Sequence, residues 1–94
     1  MSDATAVEKV ATIKNKYGLH ARPATQFVEL ASRFNCDVVL LKNGEEVNGK
    51  SIMGLMMLGA EQGTELTLRC FGAEDAPQCI DSLVALIDSK FGEE

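Results

Sequence analysis

The sequence predicts an α+β fold, a single mostly antiparallel sheet with helices packed on one face. Three observations carry this. The apolar period switches between 2 and 3.6 along the chain, giving the order β-α-β-β-α-β-α. Asn43-Gly44 sits between two extended runs and is a strong two-residue hairpin signal. That order, with no internal repeats and one hairpin fixed, suits a mostly antiparallel sheet, so one helix-covered face and one largely solvated face are expected.

Val7 to Lys14 alternates as a strand, with Ala11 and Ile13 on one side and Val10 and Thr12 on the other. Asn15-Lys16-Tyr17-Gly18 interrupts it as a loop. From Ala21 to about Phe34 the period is helical: Ala24, Phe27, Val28, Ala31 and Phe34 share a face opposite Gln26, Glu29 and Arg33. Pro23 belongs in the first turn, so the helix begins at His20 or Ala21. Cys36 to Lys42 is the second strand, with Val38 and Leu40 opposite Val39 and Leu41, and Glu45 to about Asn48 returns from the hairpin. Ile52 to Leu58 is short, methionine-rich and interrupted by Gly54, which predicts one or two helical turns capped by Ser51. Glu65 to Phe71 alternates cleanly, placing Leu66, Leu68 and Cys70 inward. A last helix is expected from Glu74 or Asp75 to Phe91, with the stripe Ala76, Ile80, Leu83, Val84, Ile87 and Phe91, and Cys79 beside it. Acidic residues at its start and Lys90 near its end suit the helix dipole.

Ninety-four residues suffice for one domain, residues 1–94 with a core at about 7–91, but not for a deep cavity between lobes. The net charge of −5 argues against nucleic acid or an anionic membrane surface as a partner. No apolar run is long enough for a membrane span, and the polar start lacks a signal-peptide pattern, so a cytoplasmic protein is expected. Cys36, Cys70 and Cys79 are odd in number and unclustered along the chain, and structural zinc wants four closely paired ligands. They read as three reduced, mostly buried thiols; neither a metal site nor a cofactor is expected. Val39, Leu41 and Phe71, on the face left open, are either a partner patch or scattered exposed apolars.

The chemistry concentrates in Gly18-Leu19-His20-Ala21-Arg22-Pro23-Ala24. His20 is the only histidine in the chain. Alone, such a residue is usually a cap or a surface group. Placed at a helix start, it meets free N–H groups and the dipole, an anion site. The dipole disfavours the imidazolium and leaves a nucleophilic ring nitrogen. A phosphoryl group taken up there would face those N–H groups and the Arg22 guanidinium. No second histidine, carboxylate pair or nucleophile–base pair suggests hydrolysis.

This motif resembles the active-site motif of the HPr family, the histidine-containing phosphocarriers of the bacterial phosphotransferase system. A second stretch, Asn48-Gly49-Lys50-Ser51-Ile52-Met53-Gly54-Leu55-Met56-Met57-Leu58, resembles the family's regulatory-serine region. The resemblance covers about Val7 to Phe91. It implies an open-faced β-sandwich, a four-stranded sheet in the order 1-4-2-3 covered by three helices. It also implies that His20 accepts phosphate on Nδ1 from phosphorylated Enzyme I and passes it to a IIA domain of a sugar permease. Ala21 and Arg22 would bind the phosphoryl group, and Ser51 would be the target of an HPr kinase/phosphorylase where one exists. Thr25, Ile52, Met53 and Met56 would form the partner-binding surface. Half of the methionine-rich run must pack inward, and Leu55 and Leu58 are assigned that part. The protein would be a monomeric, stoichiometric carrier rather than an enzyme. A regulatory or nitrogen-branch paralogue, whose phosphorylation state is read by partners, is the alternative.

Overall fold

The computed structural model describes residues 6–93; the polar segment read at positions 1–5 lies outside them. The elements are β1 (Val7–Thr12), α1 (Ala21–Ala31), β2 (Asp37–Lys42), β3 (Glu45–Asn48), α2 (Ile52–Met57), β4 (Glu65–Phe71) and α3 (Ala76–Asp88), followed by a 3₁₀ turn at Lys90–Gly92. The four strands form one sheet in the order β1-β4-β2-β3, and every pairing is antiparallel.

Register follows from alternation. Leu40 pairs with Leu68, and Ala11 with Leu66, so the inward residues of β1, β2 and β4 form one apolar surface. A one-residue slip would turn that surface to solvent. Helix α1 lays Ala24, Phe27 and Ala31 on it, and α3 adds Ile80, Leu83 and Ile87. Phe27, Leu40, Leu68 and Leu83 are fully enclosed, each contributing roughly 1.5–3 kcal/mol by leaving water. The hairpin turns at Asn43 and Gly44 with φ of 50° and 84°, the two left-handed residues that a tight turn matching strand twist demands. Lys9–Asp81 and Lys14–Asp88 tie β1 and the segment just after it to α3 at 2.5 and 3.1 Å, and both pairs are half-exposed. Each adds at most about 1 kcal/mol.

Several boundaries differ from the sequence reading. Helix α1 stops at Ala31; Ser32 to Phe34 follow as turns, and Phe34 still packs on the core. Strands β1 and β2 are shorter by two residues and one. Ile13 nonetheless stays buried and exchanges backbone bonds with Gly63 and Thr64.

The largest departure is at the C-terminal end. Helix α3 ends at Asp88, not Phe91, because Lys90 and Phe91 adopt left-handed φ of 61° and 56°. Phe91 reaches the core through this reversal, at 2 % exposure, rather than along a helical stripe. At the other end of α3, Asp75 is the N-cap residue, but its carboxylate does not cap its own helix. It accepts the backbone N–H groups of Asn35 and Cys36 at 2.7 and 3.1 Å. Those bonds hold the Asp75 pKa below its usual value, the Asn35 N–H contributing most.

The cysteines also depart from their sequence spacing. All three are buried free thiols, as small hydrophobes would be, yet the fold gathers their sulfurs within 4.8 Å of one another. Burial, with the neighbouring Cys79 and Asp75, pushes the Cys36 thiol up to about 12, and a hydrogen bond with Cys70, followed by burial, raises Cys79. On the open sheet face, Val39, Leu41 and Phe71 are half-buried, with Arg69 lying 5.5 Å over the Phe71 ring. Among the described residues no helix is long and apolar enough to cross a membrane.

Candidate functional site

The site is built on the connection between β1 and α1. Asn15 is fully buried there. Its amide donates to the Gly18 carbonyl at 2.8 Å and to Glu93 Oε1 at 3.0 Å. Its own Oδ1 makes no hydrogen bond among the described residues. Gly18 takes a φ of +69° and lies against the Ala60 backbone, where a Cβ would meet the carbonyl oxygen at 2.3 Å. Leu19 is buried, and its N–H bonds that same oxygen at 2.9 Å. The backbone is therefore held immediately before His20, while Pro23 and Ala24 are buried immediately after it.

His20 is the N-cap residue of α1, with extended backbone and no side-chain capping bond. Its carbonyl accepts the Ala24 N–H, and Pro23 has no N–H to offer. The N–H groups of Ala21 and Arg22 remain at the helix start, uncapped by the histidine side chain. The His20 side chain is 40 % exposed. Arg22 is exposed, and its guanidinium has no partner among the described residues. An open cleft of about 430 Å³ is lined by Lys16, Tyr17, Arg22, Gly92 and Glu93.

The 3₁₀ turn brings Glu93 to this cleft. Its carboxylate lies 3.1 and 3.3 Å from His20 Nε2. A carboxylate only accepts, so Nε2 carries a proton, and in the neutral ring Nδ1 then carries the lone pair. Tyr17 meets the imidazole edge-on, with ring centroids 6.2 Å apart, and Lys16 Nζ sits 5.4 Å from the Tyr17 ring centre. Lys16 and Arg22 make the cleft cationic around one half-buried acid, although the chain as a whole is acidic.

Asn15, Lys16, Tyr17 and Glu93 were not singled out by the sequence as site residues. The first three read there as loop punctuation. Glu93 is 73 positions from His20 and becomes a neighbour only because Lys90 and Phe91 reverse the chain. A glutamate in a short tail after an apolar aromatic carries no local signal of this.

The second region lies along α2, which packs against α1. Ser51 is its N-cap, and Oγ accepts the Gly54 N–H at 3.0 Å. Leu55 and Leu58 are buried as expected, whereas Ile52, Met53 and Met56 are exposed. Met57 is the most exposed of the group, at 75 %, and belongs to the same apolar surface. Thr25 is half-buried, with its hydroxyl tied to the Ala21 carbonyl at 2.8 Å.

An open sheet with helices on one face, and one oriented imidazole at a helix start beside a guanidinium unpaired among the described residues, define a small acceptor of anionic groups. The comparisons with known proteins place it more narrowly. The family model described as the PTS HPr component phosphorylation site matches residues 7–89. The phosphocarrier protein HPr of Neisseria meningitidis is 49% identical over 81 residues, covering 86% of this chain and 90% of that one. The phosphocarrier protein NPr of Shewanella violacea is 39% identical over 89 residues, covering 95% and 97%. The crystal structure of HPr-C-His from Thermoanaerobacter tengcongensis superposes with a TM-score of 0.89 at 50% identity, covering 94% of this chain and 98% of that one. The chain belongs to the HPr family of phosphocarriers of the phosphotransferase system.

Proposed function

We propose that this protein carries a phosphoryl group on His20 between Enzyme I and a IIA domain of a sugar permease. The observation that carries the reading is the Glu93 contact to Nε2, which in the neutral imidazole places the lone pair on Nδ1 at the start of α1. In the forward step Nδ1 attacks the phosphorus of phosphorylated Enzyme I. The N–P bond forms as the bond to the donor breaks, and the proton on Nε2 stays where it is. Positive charge developing on the ring is met by Glu93. Negative charge spreading over the phosphoryl oxygens is met by the Ala21 and Arg22 N–H groups and the Arg22 guanidinium. The same groups stabilise the phosphorylated product, so the acceptor domain must supply its own nucleophile to remove the group.

Thr25, Ile52, Met53 and Met56, joined by Met57, form the docking surface in this reading. Exposed methionines suit a surface that fits unrelated partners in succession, because the side chain is flexible and polarizable. Ser51, at the edge of that surface, is the regulatory site for an HPr kinase/phosphorylase in a cell that has one. The protein acts as a monomeric single domain in the cytoplasm, a stoichiometric intermediate that turns over nothing by itself.

The similarity to an NPr protein supports a second reading, in which the phosphorylated state is sensed by partners rather than spent on sugar uptake. The IIA domain that accepts the group decides between them. The central test is a ³¹P spectrum after incubation with phosphoenolpyruvate and Enzyme I. An acid-labile, base-stable phosphoryl signal on His20 is expected; its absence overturns the proposal.

A further inference from the structure

Three thiols from three elements meet in the core. Cys36 lies just before β2, Cys70 is in β4 and Cys79 is in the first half of α3; all are 0 % exposed. Their sulfurs lie within 4.8 Å of one another, the one such group of cysteine, histidine and acidic side chains among the described residues. An ion bound to three thiolates at ~2.3 Å holds the sulfurs ~4.0 Å apart in a plane, and closer if it sits above them. The trio therefore closes on an ion with sub-ångström shifts. The cluster lies beyond the C-terminal end of α1, whereas His20 caps the N-terminal end, about 16 Å away along an 11-residue helix.

Charge selects the ion. Three thiolates around a divalent cation leave one net negative charge in an apolar core, beside the Asp75 carboxylate that already binds the Cys36 N–H. No fourth ligand joins the three sulfurs in that group, and recruiting the Asp75 carboxylate would only add to the uncancelled charge around zinc. A trivalent ion leaves no net charge and needs only three sulfurs. We propose that Cys36, Cys70 and Cys79 form a binding site for a trivalent thiophilic ion of the arsenite class. Arsenous acid enters uncharged. Three As–O bonds break and three As–S bonds form, each thiol proton leaves with a hydroxyl as water, and arsenic stays in the +3 state.

The full-length protein, kept reduced with a phosphine, is titrated with sodium arsenite and read by native mass spectrometry. The expected product is one adduct whose mass is that of one arsenic less three hydrogens, formed by the folded chain. Arsenic X-ray absorption on the wild type should show three sulfur neighbours and no oxygen. This second measurement needs no variant to fold. Cys36→Ala, Cys70→Ala and Cys79→Ala should each weaken binding by more than about tenfold, the effect that loss of even a supporting hydrogen bond has at metal sites. A wild-type adduct that retains a hydroxyl overturns the proposal. So does an adduct formed only in urea, or zinc bound more tightly than arsenite.

Discussion

Replacing Gly18 with alanine tests whether the loop before His20 is held as tightly as its geometry implies. Two costs add. The residue sits at φ +69°, where an L side chain pays about 1–2 kcal/mol. The new Cβ would also lie 2.3 Å from the Ala60 carbonyl oxygen and 2.9 Å from Glu61 Cα, both backbone atoms with no rotamer to yield. Relief requires the two segments to part. That breaks the 2.9 Å bond from the Leu19 N–H to the same oxygen and strands a buried polar pair, at about 1–3 kcal/mol. The sum is about 2–5 kcal/mol, a large share of the stability of a domain this size. Gly44→Ala is the internal control: its φ is +84°, but a Cβ there meets nothing within 4 Å, so only the first cost of about 1–2 kcal/mol applies. Urea unfolding of both variants, with equal m-values confirmed, isolates the steric part as their difference. Equal losses in the two variants would falsify the claim that the close approach to Ala60 anchors the site.

Three other outcomes follow from named contacts. Glu93→Gln offers His20 Nε2 a donor as well as an acceptor, so ¹⁵N spectra should show the Nδ1–H tautomer appear and phosphoryl uptake should fall roughly tenfold; an unchanged tautomer balance refutes the orienting role. Asp75 has a lowered folded-state pKa, so its contribution is present above its unfolded value of about 3.9 and is lost as pH falls through the folded one. The gap in urea midpoint between wild type and Asp75→Asn should therefore be constant near pH 6 and shrink below pH ~4, and a gap that does not change with pH contradicts this. Ser51→Asp keeps an N-cap acceptor for the Gly54 N–H but adds charge at the edge of the exposed methionines. Transfer from Enzyme I should slow roughly tenfold, which corresponds to about 1.4 kcal/mol; equal rates would remove Ser51 as a control point.

Wherever a local period or a turn residue decided the structure, it was legible in the chain. Alternation placed Leu66, Leu68 and Cys70 inward, Asn43-Gly44 made the hairpin, and Ser51 capped α2. The order β1-β4-β2-β3 came from family resemblance, since alternation says which face a strand buries but not which strand lies beside it. Helix ends were less legible. Ser32 to Phe34 and Ser89 to Phe91 continue a helical apolar pattern, but an apolar side chain reaches a core equally well from a turn. Phe91 does so with φ of 56°, a conformation that no sequence period encodes.

What escaped the sequence is what the fold creates by distance. Glu93 and His20, or Cys36, Cys70 and Cys79, share no spacing that marks them as neighbours. The two cases have opposite physical consequences. At His20 the chain end supplies a carboxylate to a half-exposed ring, and solvent screens the pair, so the contact serves orientation more than stability. In the proposed function the donor and acceptor reach Nδ1 from outside, which a buried pair would forbid. At the cysteines the convergence is sealed from solvent, so any charge there must be cancelled within the cluster. Helix α1 separates these two environments by its own length, which lets one end of the layer stay half-exposed while the other packs as core.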